Sequence, residues 1–225
     1  MAELMTYDLH PDVLAFTAGR GVELPCPVVQ MHQVHNVQVA RVDSPDVSRD
    51  ELQGFDALIT NVRGVCIGAR SADCIPVLLY DPVTRSAAAI HSGWRGTVTG
   101  VCRRTITRME IEYGTRASDM VAVIGPGVCR NCFQVGQEVA LEFRNENFEI
   151  DRIWDFRGPK VQGDISGGHH IDLPEACRLT LLECGVRADN IQVSGLCTYE
   201  RTDILYSARK EGVACGRNIT AIKIL

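Results

Sequence analysis

Cys74-Ile-Pro-Val-Leu-Leu-Tyr80, Asp81-Pro-Val-Thr-Arg85 and Ser86-Ala-Ala-Ala-Ile-His91 are the consecutive segments whose reading decides this fold. Two short apolar runs flank a polar stretch that carries Asp-Pro, the pattern of paired strands joined by a turn. A hairpin returns the chain on itself, so Cys74 and His91 fall at the same spatial end of the two strands although they lie at opposite ends of the segment. A thiol and an imidazole thus meet at one sheet edge.

Working outward, Val37-Gln-Val-Ala-Arg-Val42 alternates as a half-buried strand does, and Ala57-Leu-Ile-Thr60 and Val65-Cys-Ile-Gly68 read as two more. Beyond Gly96, Val98, Val101, Cys102, Ile106, Met109 and Tyr113 follow helical spacing up to Gly114, a natural C-terminal stop. The helix is expected to begin near Thr97, with free amides that favour an anion. Further strands are expected at Asp119–Ile124, Ile191–Ser194, Ile204–Ser207 and Ile219–Ile224. Helices are expected at Val135–Asn145 and from Asp172-Leu-Pro-Glu to about Gly185. Gly158-Pro159, Gly163 and Gly167-Gly168 mark Arg152–His170 as loop. Strands in runs with few interposed helices predict an α+β fold of mixed sheets. With no repeat and no Pro/Gly/Ser linker, residues 1–225 are expected to form a single domain.

Composition narrows the function classes. A net charge of −5 argues against general affinity for nucleic acid, which needs a basic face. The longest apolar runs end too soon to span a membrane, and the first residues carry neither a basic leader nor an apolar core, so the expected location is the cytoplasm. Ten cysteines in a chain so rich in apolar residues are read as mostly reduced, buried hydrophobes rather than a disulfide scaffold.

His91-Ser-Gly-Trp-Arg-Gly96, Ser71-Ala-Asp-Cys74 and His35 gather two imidazoles, a thiol, a guanidinium and closely spaced glycines. Two His and one Cys are borderline-soft ligands suited to zinc or copper, although on spacing alone such residues are more often core or surface residues than ligands. Arg95 offers a bidentate fork beside glycine and a helix start, as phosphate binding requires, and Arg70 either joins it or pairs with Asp73. Asp73 is read either as the group that moves protons or as one that orients a ligand. Trp94 is read as packing or as a surface for a purine. Cys129-Arg-Asn-Cys132 is a single Cys-x-x-Cys. A zinc ribbon needs a second pair, and the spacing of Cys177, Cys184, Cys197 and Cys215 supplies none, so these thiols are read as structural, with redox use at a helix start after a strand as the alternative. His169-His170 is read as loop.

Several phrases, in fixed order, resemble the YfiH family, also known as the laccase-domain or polyphenol-oxidase-like proteins. They are His32-Gln-Val-His-Asn36, Arg70-Ser-Ala-Asp-Cys74-Ile-Pro-Val, His91-Ser-Gly-Trp-Arg-Gly96, Ile124-Gly-Pro-Gly127 and Cys132-Phe-Gln-Val-Gly136. The closing segment Cys197-Thr198, Tyr206-Ser-Ala-Arg209-Lys-Glu-Gly212 and Gly216-Arg217 is similar as well. The resemblance implies mixed sheets packed in layers with helices outside. It implies a zinc enzyme of purine nucleoside phosphorolysis, with adenosine deamination also known in the family, that takes nucleoside and phosphate. It carries the metal-ligand role onto His35, Cys74 and His91. Phe16-Thr-Ala-Gly-Arg20-Gly21 answers to a Thr-Arg-x-Gly-Gly-type loop of the family, which brings Arg20 in as a phosphate-binding candidate.

Rival readings stand beside this one. Copper would make the protein a polyphenol oxidase, but a multicopper cluster needs more imidazoles than the six His here. Without metal, Cys74 and a His form a hydrolase pair. A factor that edits cell-wall precursors is the non-nucleoside alternative. Oligomeric state is not legible in the residues.

Overall fold

The computed structural model describes residues 3–159 and 163–225. Its centre is the expected hairpin. Strand β7 (Ile75–Asp81) pairs antiparallel with β8 (Ser86–Ser92), and Pro76 faces His91. Both strands are buried along their whole length. They lie in a six-stranded sheet with β9 (Val121–Ile124) and β13 (Ile191–Val193) on one side and β5 (Ala57–Thr60) and β4 (Val39–Arg41) on the other. A five-stranded sheet runs in the order β1 (Met5–Tyr7), β2 (Val13–Ala18), β14 (Asn218–Ile224), β6 (Cys66–Ser71), β3 (Val29–Gln30).

Alternation along β7 and β8 explains why both are apolar throughout. Leu78, Tyr80, Ala87 and Ala89 face Ala15, Ile67 and Ile222 of the five-stranded sheet. Val77, Leu79, Ala88 and Ile90 face the opposite way, toward helices α2 (Val101–Tyr113) and α5 (Leu173–Glu183). The layers are therefore sheet, sheet and helix, an α+β arrangement of mixed sheets with outer helices, as expected. By the same alternation His91 shares the inter-sheet face with Ala87 and Ala89, at the open end of the sandwich. Alanines there keep the two sheets close.

The expected helix beyond Gly96 is two. Helix α1 (Trp94–Val98) starts one turn earlier, and Gly100 at φ 85° breaks it from α2. The Thr97 amide donates to the Gly93 carbonyl at 2.8 Å, so it is not a free anion donor as expected. Helix α3 (Gln137–Asn145) and α5 fall where expected, the latter capped by Asp172, whose side chain accepts from the Glu175 amide.

Ile204–Ser207 is not a strand. The Tyr206 backbone instead pairs with the Asn218 side chain, through Tyr206 N–H to Oδ1 at 2.9 Å and Nδ2–H to the Tyr206 carbonyl at 3.0 Å. The segment expected as loop contains helix α4 (Ile150–Ile153), β11 (Trp154–Phe156) and β12 (His169–Ile171), and β12 pairs with both β11 and β10 (Gln134–Val135). Strands of two or three residues between glycines leave no readable period. The part of that expected loop at 160–162 lies outside the described residues. His169 and His170 thus lie in a strand and point apart. Trp154 Nε1 donates to His169 Nδ1 at 3.0 Å, whereas both His170 ring nitrogens meet carbonyl oxygens of Arg130 and Gly167, each at 3.0 Å. The last helix, α6 (Ala208–Glu211), is a single turn capped by Ser207. No helix among the described residues is long and apolar enough to cross a membrane.

Candidate active site

Three segments converge at the open end of the hairpin. Cys74 immediately precedes β7, His91 is the sixth residue of β8, and His35 sits in the connection between β3 and β4. Their ligand atoms all lie within 4.8 Å of one another, with Cys74 Sγ 3.8 Å from His35 Nε2. The two imidazole rings meet edge to face, centroids 4.9 Å apart. Gly93 has no room for a side chain, because a Cβ there would come 2.8 Å from His35 Cδ2 and 3.0 Å from Cys74 Sγ. The glycine is required by how tightly the cluster is drawn together.

Asp56 organises the site, and sequence reasoning did not find it. It is fully buried, and one carboxylate oxygen lies 2.8 Å from His91 Nδ1. The same carboxylate accepts the backbone N–H groups of Val34, His35 and Asn36 at 2.9–3.0 Å. Those three amides converge because His35 adopts φ 63°. One buried charge thus fixes the tautomer of His91, leaving Nε2 toward the cluster, and holds the loop that carries His35. The available signal was an acidic residue directly before a fully buried strand.

Electrostatics follow from the geometry. Burial would raise the Cys74 thiol, but the charge of His91 and contacts with both imidazoles outweigh it and bring the thiol down to about 6. Burial would likewise lower His91, but Cys74 and Asp56 hold it up to about 9. Without metal, the pair is therefore thiolate and imidazolium at neutral pH. Alkylation of Cys74 in metal-free protein is expected to persist down to about pH 6 and to fall as pH drops further. His91→Ala should move that inflection up toward the ordinary thiol range. An inflection in the ordinary range for both proteins would sink the ion pair.

The cluster opens into a cavity of about 590 Å³, also lined by Gln33, Arg49, Arg70 and Arg217. That size suits a small organic ligand. Gln33 makes two hydrogen bonds to the Arg70 backbone, at 2.7 and 2.9 Å, and so ties the His35 loop to β6. Among the described residues none of the three arginines forms an ion pair. Burial, then the charges of Arg49 and Arg217, hold the Arg70 guanidinium below its ordinary value. Like charges gathered without a carboxylate call for an anion. Arg49 carries no local motif, and Gly216-Arg217 belongs to the closing segment without reading as an anion ligand there.

The remaining expected site residues lie elsewhere. Arg95 stacks over the Trp94 ring at 4.3 Å and faces a separate hollow of about 470 Å³ with Val37, Val98 and Glu142. His35 borders both hollows. Arg20 is taken up by Glu211 at 2.5 Å and by the Thr202 carbonyl at 3.1 Å, so it braces the C-terminal segment and does not line the cavity. Asp73, at φ 93°, accepts from Thr198 Oγ1, Ser207 Oγ and the Arg209 amide at 2.6–2.7 Å. Both its oxygens are engaged away from the cluster, as a clasp on the segment that forms the cavity's far wall.

The chain belongs to the family described as multi-copper polyphenol oxidoreductase laccase, whose pattern matches residues 16–225. A protein named purine nucleoside phosphorylase from Bacteroides thetaiotaomicron is 40% identical over 205 residues, covering 90% of this chain and 73% of its own. Another relative, named adenosine deaminase RL5, from an unknown prokaryotic organism, is 35% identical over 90% of this chain and 76% of its own. Among solved structures, a Bacillus licheniformis hypothetical protein titled YfiH matches with TM-score 0.85 at 23% identity, covering 100% of this chain and 97% of that one.

Proposed function

We propose that this protein is a zinc-dependent purine nucleoside phosphorylase, which cleaves a purine nucleoside with phosphate to give free base and ribose 1-phosphate. The observation that carries the reading is the three-donor cluster of His35, Cys74 and His91 opening into a cavity walled by Arg49, Arg70 and Arg217. Two imidazoles and a thiolate suit zinc, and three protein donors match the count of catalytic rather than structural sites. Bound there, zinc supplies Lewis acidity. The names of relatives that span most of this chain agree with the substrate class.

The protein's own groups do the rest. Arg70, with Arg49 and Arg217, holds the phosphate and neutralises its charge, as guanidinium forks do best. Asp56 keeps His91 oriented, and Asp73 keeps the Ala208–Arg217 wall in place, a positioning role. The hollow of Val37, Trp94, Arg95 and Val98 offers the base a flat apolar surface on the other side of His35. Deamination of adenosine is the second reading, favoured by the relative of that name.

Adenosine cleavage is expected to require phosphate and to yield ribose 1-phosphate. Arg70→Met should raise the phosphate KM about 10–100-fold, the worth of one charge-assisted hydrogen bond, and Arg70→Lys should recover part of it. Free ribose formed without phosphate would make the enzyme a hydrolase. Inosine as the sole product would make it a deaminase.

A further inference from the structure

The Cys129-Arg-Asn-Cys132 motif plays no part in that chemistry. The expectation that it lacked companions fails in three dimensions. Cys197 and Glu200 close around it, and the three sulfurs and a carboxylate oxygen lie within 4.8 Å of one another. Sequence spacing hid this because the partners come from a segment 65 residues further on that the fold brings alongside. Gly127 and Cys197 form a parallel bridge, and the Thr198 amide donates to the Gly127 carbonyl at 3.0 Å.

Each element of this cluster is built for cation binding. The Cys132 and Phe133 amides both donate to the Cys129 carbonyl, at 3.1 and 2.9 Å, and the resulting tight turn aims both thiols of the motif to one side. The Cys129 amide donates to Cys197 Sγ at 3.4 Å. The Cys197 sulfur thus faces the turn that carries the other two thiols. Glu200 Oε1 lies 3.7 Å from Cys132 Sγ and 4.0 Å from Cys129 Sγ, and Glu200 forms no ion pair among the described residues. A carboxylate thus faces two thiols with no ion-pair partner among the described residues. Tetrahedral zinc–sulfur bonds of about 2.3 Å set sulfurs roughly 3.8 Å apart, so the observed spacing needs only a small contraction.

We propose that Cys129, Cys132, Cys197 and Glu200 form a second metal site, for a thiophilic divalent cation of the zinc class, distinct from the His35–Cys74–His91 cluster. Four protein donors close the coordination shell, which is the pattern of structural rather than catalytic zinc. On binding, the cation displaces the thiol protons of the cysteines to solvent. The metal staples the 127–132 turn to the 197–200 segment. Val128 donates its amide to the Asp73 carbonyl at 2.9 Å and Thr198 donates to the Asp73 carboxylate, so the staple steadies the turn that carries Cys74.

Metal counting tests this without reference to turnover. Protein purified without chelator should carry about two zinc per chain, and His91→Ala should retain about one. Cobalt loaded into His91→Ala should show the intense thiolate-to-metal absorption of a multi-sulfur site, and Cys132→Ser/His91→Ala should lose both metal and band. Should the double variant not fold, the single His91→Ala measurement decides alone. A wild type with one zinc that His91→Ala loses entirely would overturn the proposal, as would a disulfide among Cys129, Cys132 and Cys197 in freshly isolated protein. Zinc retained by His91→Ala, in a protein whose wild type cleaves no nucleoside, would uphold this site and sink the phosphorylase reading.

Discussion

Asp56→Ala is expected to destabilise the metal-free protein by about 3–5 kcal/mol and to weaken zinc binding roughly 10–100-fold. The first figure is the usual cost of removing one partner from a buried charge pair, and here three backbone amides lose their acceptor as well. The second follows because His91 loses the group that fixes its tautomer and the His35 loop loses its anchor. Denaturant unfolding of apo protein and zinc competition against a chelator measure the two effects separately. The sign of the pH dependence is set by Asp56. Burial would raise its carboxyl, but the His91 contact and the amides outweigh that and hold it below its ordinary value. Its contribution is therefore complete above the ordinary carboxylate range, near pH 4, and is lost as pH falls through the depressed value. The gap between wild type and Asp56→Ala should narrow in acid and again as pH rises toward about 9, where His91 loses its charge. A variant within about 1 kcal/mol of wild type at neutral pH, with unchanged zinc affinity, would remove Asp56 from this role.

Chelation is expected to suppress nucleoside cleavage by on the order of 10²–10³-fold or more, because metal-derived stabilisation of charge is worth several kcal/mol. Zinc should restore it, and Cys74→Ala should be inactive and poor in metal. This result separates two uses of one thiol. A coordinated thiolate is shielded, so Cys74 should resist alkylation in holo protein and react once metal is removed. A nucleophile paired with His91 would instead work metal-free and die in step with labelling. Full activity after chelation, abolished by alkylation of Cys74, would replace the metalloenzyme with a hydrolase.

The hairpin was legible because two apolar runs and an Asp-Pro turn state it locally, and with it came the meeting of Cys74 and His91. His35 was legible only through resemblance, since its approach depends on a loop with a positive φ that no propensity announces. Asp56 was missed because three of its partners are backbone amides, which leave no trace in residue identities, and the fourth, His91, lies 35 residues away. Arg20 was misplaced because β1 and β2, unread in the sequence, carry it to the C-terminal segment, where Glu211 neutralises it. Arg49, Arg70 and Arg217 come from three distant stretches, and although Arg217 stands in the closing segment, only Arg70 was legible as an anion ligand. The same limit hid Cys197 from Cys129 and Cys132: one-dimensional spacing reports on ligands within a turn, not across a sheet.

Strand β14 lies between β2 and β6, so residues 218–224 are the middle of the five-stranded sheet. During synthesis the hairpin bearing Cys74 and His91 leaves the ribosome long before that central strand exists. At roughly 5–20 residues per second the delay is on the order of ten seconds. Throughout it the five-stranded sheet is split and the Ala208–Arg217 wall of the cavity is missing. The cavity beside His35, Cys74 and His91 is thus completed only when residues 208–224 arrive.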